Sequence, residues 1–396
     1  MQTPLTVADH GNLTVRARAQ IVAGIAAQHA SSVDAGSRFP AEAFAAARQH
    51  RLLGLLVPKD LGGDGASISE VAEVCYQLAQ GCSATGMIYA MHQVKVACVV
   101  RHMQDNLTLQ HLMRRLCAEQ LLLASSTTEG TGGGNVRASE APVVHEDQKI
   151  TLERRATVIS YGAFADGIVT TARRAADAPA NDQVLILFLK EHYTLSPLQS
   201  WQTLGMRGTC SEGYLLKASA RPEQILPHPY ERIHAHTMVP CAHLFWGSVW
   251  CGIAASATAR AQGFIRQVLR QSNGQLPPGA PEFTKALASL RTLRGMLSSA
   301  LRSYEQQMND PKSLSGMEFQ SMITLTKVEA SELALSIVLT ALRVCGLSGY
   351  RTDTEFSIER QLRDVLSAPL MINNDRILSN LATPSVLAPI PSGISD

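Results

Sequence analysis

One run of this sequence is unusually rich in hydroxyl and glycine residues: Ser125-Ser126-Thr127-Thr128-Glu129-Gly130-Thr131-Gly132-Gly133-Gly134. Such residues hold ligands through side-chain oxygens and through backbone N–H groups that glycine lets approach closely. A phosphate loop of this kind must follow a strand and open a helix, and a dinucleotide fingerprint needs glycine at its sixth position. Asn135 stands there, Val136-Arg137-Ala138-Ser139-Glu140 begins no apolar helix, and no lysine completes a Walker loop. Taken alone, the run reads as a turn. G-x-S-x-G and H-E-x-x-H do not occur. The eight cysteines (Cys75, Cys82, Cys98, Cys117, Cys210, Cys241, Cys251 and Cys345) form no C-x-x-C pair and no zinc-ligand spacing with histidine. No metal site is expected, and scattered thiols of this kind point to a reducing compartment, the cytoplasm.

The elements that position these residues follow from composition and periodicity. At 396 residues, 45% hydrophobic and 17% charged, the chain has apolar volume for two or three domains with real cores. Aromatic residues are 5%, and alanine and leucine dominate, which favours helix. The net charge of +2 gives no footprint for nucleic acid or an anionic membrane. The apolar run Leu244 to Ala259 is shorter than a bilayer span, and Met1 to Gly11 has no basic, then apolar, leader pattern, so a soluble protein with no membrane partner is expected.

Three textures succeed one another. Up to about residue 123, helical spacing predominates, with a run ending at Arg51-Leu52-Leu53-Gly54, a turn-rich loop from Pro58 to Gly65, and helices over Ile68–Leu78 and Met87–Met103. From 124 to 235, short β-like runs (Arg155–Ser160, Gly167–Thr171, Val184–Leu189, Tyr214–Leu216) separated by turns predict an antiparallel sheet, sandwich or barrel. From 236 to 396, helices return. Trp246, Trp250, Ile253, Ala257, Ala261, Phe264 and Val268 form one stripe that Pro277 and Pro278 should stop, and a further helix spans about Thr324 to Cys345. The fold class is α+β, mainly α: domains 1–123, 124–235 and 236–396, with a loose tail from Ala388.

Several motifs, in order, resemble those of the acyl-CoA dehydrogenase superfamily. Thr127-Thr128-Glu129-Gly130-Thr131-Gly132-Gly133 is similar to its Thr-Glu-Pro-Gly-x-Gly-Ser loop, and Trp201-Gln202-Thr203-Leu204-Gly205-Met206-Arg207-Gly208-Thr209 to its Trp-x-x-Leu-Gly-Met-Arg-Gly-Ser/Thr signature. Gly346-Leu347-Ser348-Gly349-Tyr350 resembles Gly-Gly-x-Gly-Tyr, Glu359-Arg360-Gln361-Leu362-Arg363-Asp364 resembles E-R-x-x-R-D, and Gly54-Leu55-Leu56-Val57-Pro58 with Gly62-Gly63 matches the early helix-loop. The resemblance implies FAD in a cleft between the β domain and the C-terminal helices. It implies Thr128 and Ser160 beside the isoalloxazine ring, Arg270, Arg343 and Gly346 toward the diphosphate, and a homotetramer or dimer. Arg363 and Asp364 are expected to form an ion pair that fixes the last helices.

The family's proton-abstracting glutamate should fall at or beside Ile372, in Leu370-Met371-Ile372-Asn373-Asn374-Asp375, and the other place some relatives use reads Cys241-Ala242-His243-Leu244-Phe245. Neither offers a carboxylate at the expected spot. Substitutes are Asp375, which could equally cap the last helix or pair with Arg376, and His243, which could equally be a core histidine. Gly134 replaces a serine that helps hold CoA, so acyl-carrier protein is an alternative carrier. The implied function is an FAD-dependent oxidoreductase acting on an acyl thioester (acyl-CoA or acyl-carrier protein). The chemistry would be a non-standard oxidation or a flavin-hydroperoxide monooxygenation using O2 and a flavin reductase. The alternatives are an ordinary dehydrogenase with a relocated base, and a non-catalytic flavoprotein.

Overall fold

The alternation of apolar residues every three or four positions that marks residues 246–268 is realised in α7 (Val239–Gln271), whose side chains are buried on most faces over its first two-thirds. A computed structural model describes residues 13–129 and 136–387. The glycine-rich residues 130–134, the N-terminus Met1–Gly11 and the tail from Ala388 lie outside the described residues.

Among the described residues, five α-helices precede the sheets: α1 (Val15–Ala35), α2 (Ala41–Gln49), α3 (Ile68–Gly81), α4 (Ser83–His102) and α5 (Leu107–Glu119). Their starts are set by side chains that satisfy orphan N–H groups: Thr14 caps α1, Asn106 caps α5, and Ser67 with Glu70 forms a capping box on α3. Helices α3, α4 and α7 pack against one another. Gly252 permits this crossing, because a Cβ there would lie 2.4 Å from the Tyr76 carbonyl oxygen.

Among the described residues, seven strands form two sheets. β1 (Leu123–Ser126), β4 (Gly167–Arg173) and β5 (Gln183–Leu189) make the first, in the order β1-β4-β5. β2 (Val144–Glu146), β3 (Lys149–Ile159), β6 (Tyr193–Gln199) and β7 (Glu212–Ala220) make the second, in the order β2-β3-β7-β6. All pairs are antiparallel except one, which corrects the expectation: β1 runs parallel to β4, pairing Leu123 with Gly167 and Ser126 with Thr170. Between them the chain crosses to the second sheet for β2 and β3 and returns, so β4 enters alongside β1 in the same direction. Every residue of β5 is buried. β2 and β6 have no clear alternating pattern because they are largely exposed.

After α6 (Tyr230–Ile233) and a π-helical turn, His234–Met238, the bundle is built from α7, α8 (Ala280–Gln307) and α10 (Met317–Cys345), with short α9 (Pro311–Ser315), α11 (Leu347–Tyr350), α12 (Glu359–Val365) and α13 (Asn374–Leu387). α7 ends before the prolines expected to stop it. Asn273 adopts φ 51°, and the Gly274 N–H returns to the Leu269 carbonyl at 2.9 Å, closing the C-terminus with the 6→1 bond of a Schellman motif. Helix Tyr230–Gln271 is long and apolar enough to cross a membrane, but 89% of its most apolar window is buried inside the protein, as in a core helix. All eight cysteines are free thiols.

The helical layer is fastened to the first sheet by a buried imidazole. His92 on α4 accepts the Leu123 N–H at Nδ1 (2.9 Å) and donates from Nε2 to the Leu53 carbonyl (2.8 Å), so its neutral form uses both nitrogens. Burial holds His92 and His234 down to about 4, and His102 and His243 to about 3. In the unfolded chain each titrates near 6.5, so between those values the unfolded state binds more protons. The contribution of these imidazoles is therefore complete above pH 6.5 and falls as the pH drops toward 4, by up to about 1.4 kcal/mol per pH unit for each imidazole. Urea unfolding across this range should show the decline; a constant free energy would contradict it.

Candidate active site

A cavity of about 620 Å³ opens where α4, the end of β1, the π-helical turn, α7, α10 and the segment leading into α13 meet. Met91, Val94 and Lys95 come from α4, and Ser125 and Thr127 from the β1 edge. His234 and Met238 come from the π-turn, Ala242, His243 and Trp246 from α7, and Gln320 and Thr324 from α10. The widened turn places both His234 and Met238 on this wall, while His236 bonds instead to Ser315 Oγ at 2.7 Å. Ile372, Arg376, Ile377, Asn380 and Leu381 form the remaining wall. Lys95, Arg137 and Arg376 supply positive charge, and no aspartate or glutamate is among the described lining residues.

The wall that carries Ile372 is held from below by a buried ammonium. Lys327 on α10 donates to the Ala368 carbonyl (3.2 Å) and to Asn374 Oδ1 (2.6 Å), and lies 5.5 Å from the centre of the Trp250 ring. Burial lowers its pKa to about 8. Asn374 in turn donates to Ser331 Oγ and to Glu332 Oε1. Within this anchored loop Ile372 takes φ 52°, an αL conformation that a β-branched side chain rarely adopts.

At the ends of β3 and β7 the second sheet presents a chain of hydroxyls. Thr209 Oγ1 and Ser211 Oγ lie 2.8 Å apart, and Ser211 Oγ donates to Ser160 Oγ at 2.8 Å. Three non-glycine residues with positive φ, Tyr161, Met206 and Cys210, surround this chain, and the Tyr161 N–H bonds to the Thr209 carbonyl at 2.7 Å. Left-handed backbone at several adjacent positions persists only where surrounding contacts enforce it. Here the enforcing contact is α12. The Met206 N–H donates to Asp364 Oδ1 at 2.6 Å, and a Cβ on Gly205 would sit 2.1 Å from the Arg363 carbonyl oxygen. Arg363 and Asp364 thus fix the last helices without pairing with each other: Arg363 joins Asp34 (3.1 Å), Glu359 and the Leu204 carbonyl.

The residues singled out in the sequence fall into separate places. Thr128 is half-buried just past β1, next to a bridge that pairs Glu129 with Ala156 of β3, and Ser160 is half-buried past the end of that same strand. Arg270, Arg343 and Gly346 are exposed at the C-terminal ends of α7 and α10. His243 lines the cavity, and its Nδ1 faces the Ile323 carbonyl at 3.3 Å; burial lowers its pKa to about 3, making it a poor proton acceptor at neutral pH. Asp375 is exposed in the first turn of α13 and is not a lining residue; its N–H donates to Asn373 Oδ1, so Asn373 supplies the cap. Lys95, Lys327, Asn374 and Trp246 were not singled out as site residues. Lys95 in an otherwise apolar stretch of α4 is the one signal of this kind the sequence carries.

This architecture has known counterparts. The acyl-CoA dehydrogenase N-terminal domain family matches residues 9–120. Cyclohex-1-ene-1-carbonyl-CoA dehydrogenase of Syntrophus aciditrophicus is 22% identical over 374 residues, covering 92% of this chain and 86% of that protein. An acyl-CoA dehydrogenase of Bacillus subtilis is also 22% identical, covering 82% and 84%. FMN-bound TdsC from Paenibacillus sp. A11-2 superposes with a TM-score of 0.82 at 17% identity, covering 96% of this chain and 98% of that one. A nitrososynthase from Micromonospora carbonacea var. africana does so at 0.81 and 20%, covering 98% and 99%. The fold is that of an acyl-CoA dehydrogenase-like enzyme. Over most of its length the chain is similar to acyl-CoA dehydrogenases at about 22% identity, as a divergent relative of that superfamily.

The anchoring network makes a direct prediction. Asn374→Leu leaves the buried Lys327 ammonium short of an acceptor and should cost about 2–3 kcal/mol in chemical denaturation. Adding Lys327→Met should recover most of that loss, because the stranded charge goes with it. An Asn374→Leu protein as stable as the parent would refute the anchoring role.

Proposed function

We propose that this protein is an FAD-dependent oxidoreductase that acts on an acyl thioester, on CoA or a carrier protein, by an oxygen-using reaction that needs no carboxylate base. The observation that supports this most strongly is the cavity lining, which presents cations and neutral imidazoles but no carboxylate among its described residues. Ile372 occupies the wall where the family resemblance expects the proton acceptor, and an alkyl group cannot take a proton.

The residues present suit a flavin. Thr128 and Ser160, both half-buried at neighbouring strand ends, offer hydroxyls to a ring edge, and the constrained 206–211 turn fixes Ser160 through Ser211. Arg270 and Arg343 are guanidinium groups, which fork onto two oxygens and so suit the diphosphate of FAD in particular. Their exposure, with Leu347 and Tyr350 also exposed just beyond Gly346, favours an assembly in which a neighbouring copy completes the site, a homodimer or homotetramer. The bound flavin would supply electron transfer and, once reduced by a separate reductase, activation of O2. The chain's own part is to orient the thioester and to exclude water with Trp246, Met238, Val94 and Leu381. Eight free thiols suit a cytoplasmic setting.

Desaturation by a relocated base has less support: Asp375 is exposed and His243 is nearly always unprotonated yet too weakly basic. The two readings separate in a stopped-flow cell. Under anaerobic conditions hexanoyl-CoA should leave the oxidised flavin unbleached, whereas chemically reduced protein mixed with the thioester and isotopically labelled O2 should give a product bearing one labelled oxygen. Anaerobic bleaching by the thioester with an enoyl product would overturn the proposal.

A further inference from the structure

The cavity has a closed end and an open end. Val94, Lys95, Met238, Ala242 and His243 are buried, while Arg137, Ile372 and Asn380 are exposed. At the closed end, Lys95 is 3% exposed, and its recorded hydrogen bond is to the thioether of Met238 at 3.6 Å, a weak acceptor. The groups that face it are the thiol of Cys98 on its own helix, the guanidinium of Arg154 from β3 and the imidazole of His234 from the π-turn. None of these is anionic at neutral pH, and no described carboxylate forms an ion pair with Lys95. An ammonium buried in such surroundings is costly unless an anion joins it. A second donor in the same cavity has no acceptor either: the indole N–H of Trp246 is buried and unpartnered among the described residues. Met91, Val94, Ala242 and Leu381 in the same lining offer an apolar wall for methylene groups.

We propose that Lys95 is the seat of a carboxylate carried at the far end of the substrate's acyl group, so that the cavity selects half-thioesters of dicarboxylic acids over simple fatty acyl thioesters. The thioester end would lie toward the opening, the methylenes against the apolar wall, and the carboxylate on the ammonium. This rests on the reading of the cavity as an acyl-thioester site. The burial that lowers the Lys95 pKa to about 8 still leaves it mostly charged at neutral pH, and a bound carboxylate would stabilise that charge.

The test uses the flavin-loaded full chain and a pair of six-carbon ligands that differ in a terminal carboxylate against a methyl, adipoyl-CoA and hexanoyl-CoA, with binding read by calorimetry. The parent protein should bind adipoyl-CoA tighter by about tenfold or more. Lys95→Met should abolish that preference by weakening adipoyl-CoA while leaving hexanoyl-CoA as tight or tighter. Without ligand, its melting temperature should equal or exceed the parent's, because a thioether of similar length replaces an unpaired buried charge. Equal binding of the two ligands by the parent, or a preference that survives in Lys95→Met, overturns the proposal and leaves the thioester reading standing. A drop in melting temperature with the preference unchanged assigns Lys95 to packing and likewise overturns it. Failure of both ligands to bind removes the thioester reading and this proposal with it.

Discussion

Burial of α7 on most of its surface is the constraint from which the rest of the molecule follows. A helix that is apolar nearly all round must be covered by other elements, and here α3 and α4 cover it from the N-terminal side and α8 and α10 from the C-terminal side. That places the start of α7, with its π-turn, against the edge of the first sheet. The junction is imperfect, because a helix and a twisted sheet edge do not interlock along their whole length, and the space left over is the cavity. Gly252, through its close approach to the Tyr76 backbone, sets how near α3 can come and so how the layers align.

Two buried polar arrangements keep that space open in one shape. His92 on α4 joins β1 to the Leu53 backbone with both imidazole nitrogens, fastening the helices to the first sheet, and Lys327 spans α10 and the loop before α13, fixing the wall. Both are groups whose burial is tolerable only when their bonds are made, so each also reports on the integrity of its junction. The turn at 206–211 plays the corresponding part for the linked hydroxyls of Ser160, Thr209 and Ser211. It is held in left-handed backbone by Asp364, which is why Trp201–Thr209 and Glu359–Asp364, far apart in sequence, function as one structural unit.

Much of this was legible in the sequence, for identifiable reasons. The α7 stripe and the apolar run Val184–Leu189 announce themselves because burial there is continuous, and the paired motifs around Gly205 and Asp364 are visible because close backbone approach admits few residue types. The parallel pairing of β1 with β4 was not legible, since strand direction depends on where the intervening chain goes and not on the strand's own pattern. α8 was missed because its exposed face dilutes the apolar signal. Lys95, Lys327 and Asn374 are harder still. A lysine or asparagine in a helix or turn ordinarily reads as solvated, and only the fold shows these three enclosed. Conversely, Asp375 had the right chemistry and the wrong side of the helix, as periodicity around an unknown start cannot fix which residue faces inward.

Central to the proposed function is the side chain at position 372, an alkyl group on the cavity wall. Introducing a proton acceptor there tests the proposal most directly. In Ile372→Glu protein loaded with FAD and mixed anaerobically with an acyl-CoA, the yellow oxidised spectrum should bleach as the thioester is dehydrogenated, while the parent protein stays oxidised under the same conditions. Bleaching of the parent at a rate equal to that of the variant would contradict the claim that this cavity works without a carboxylate.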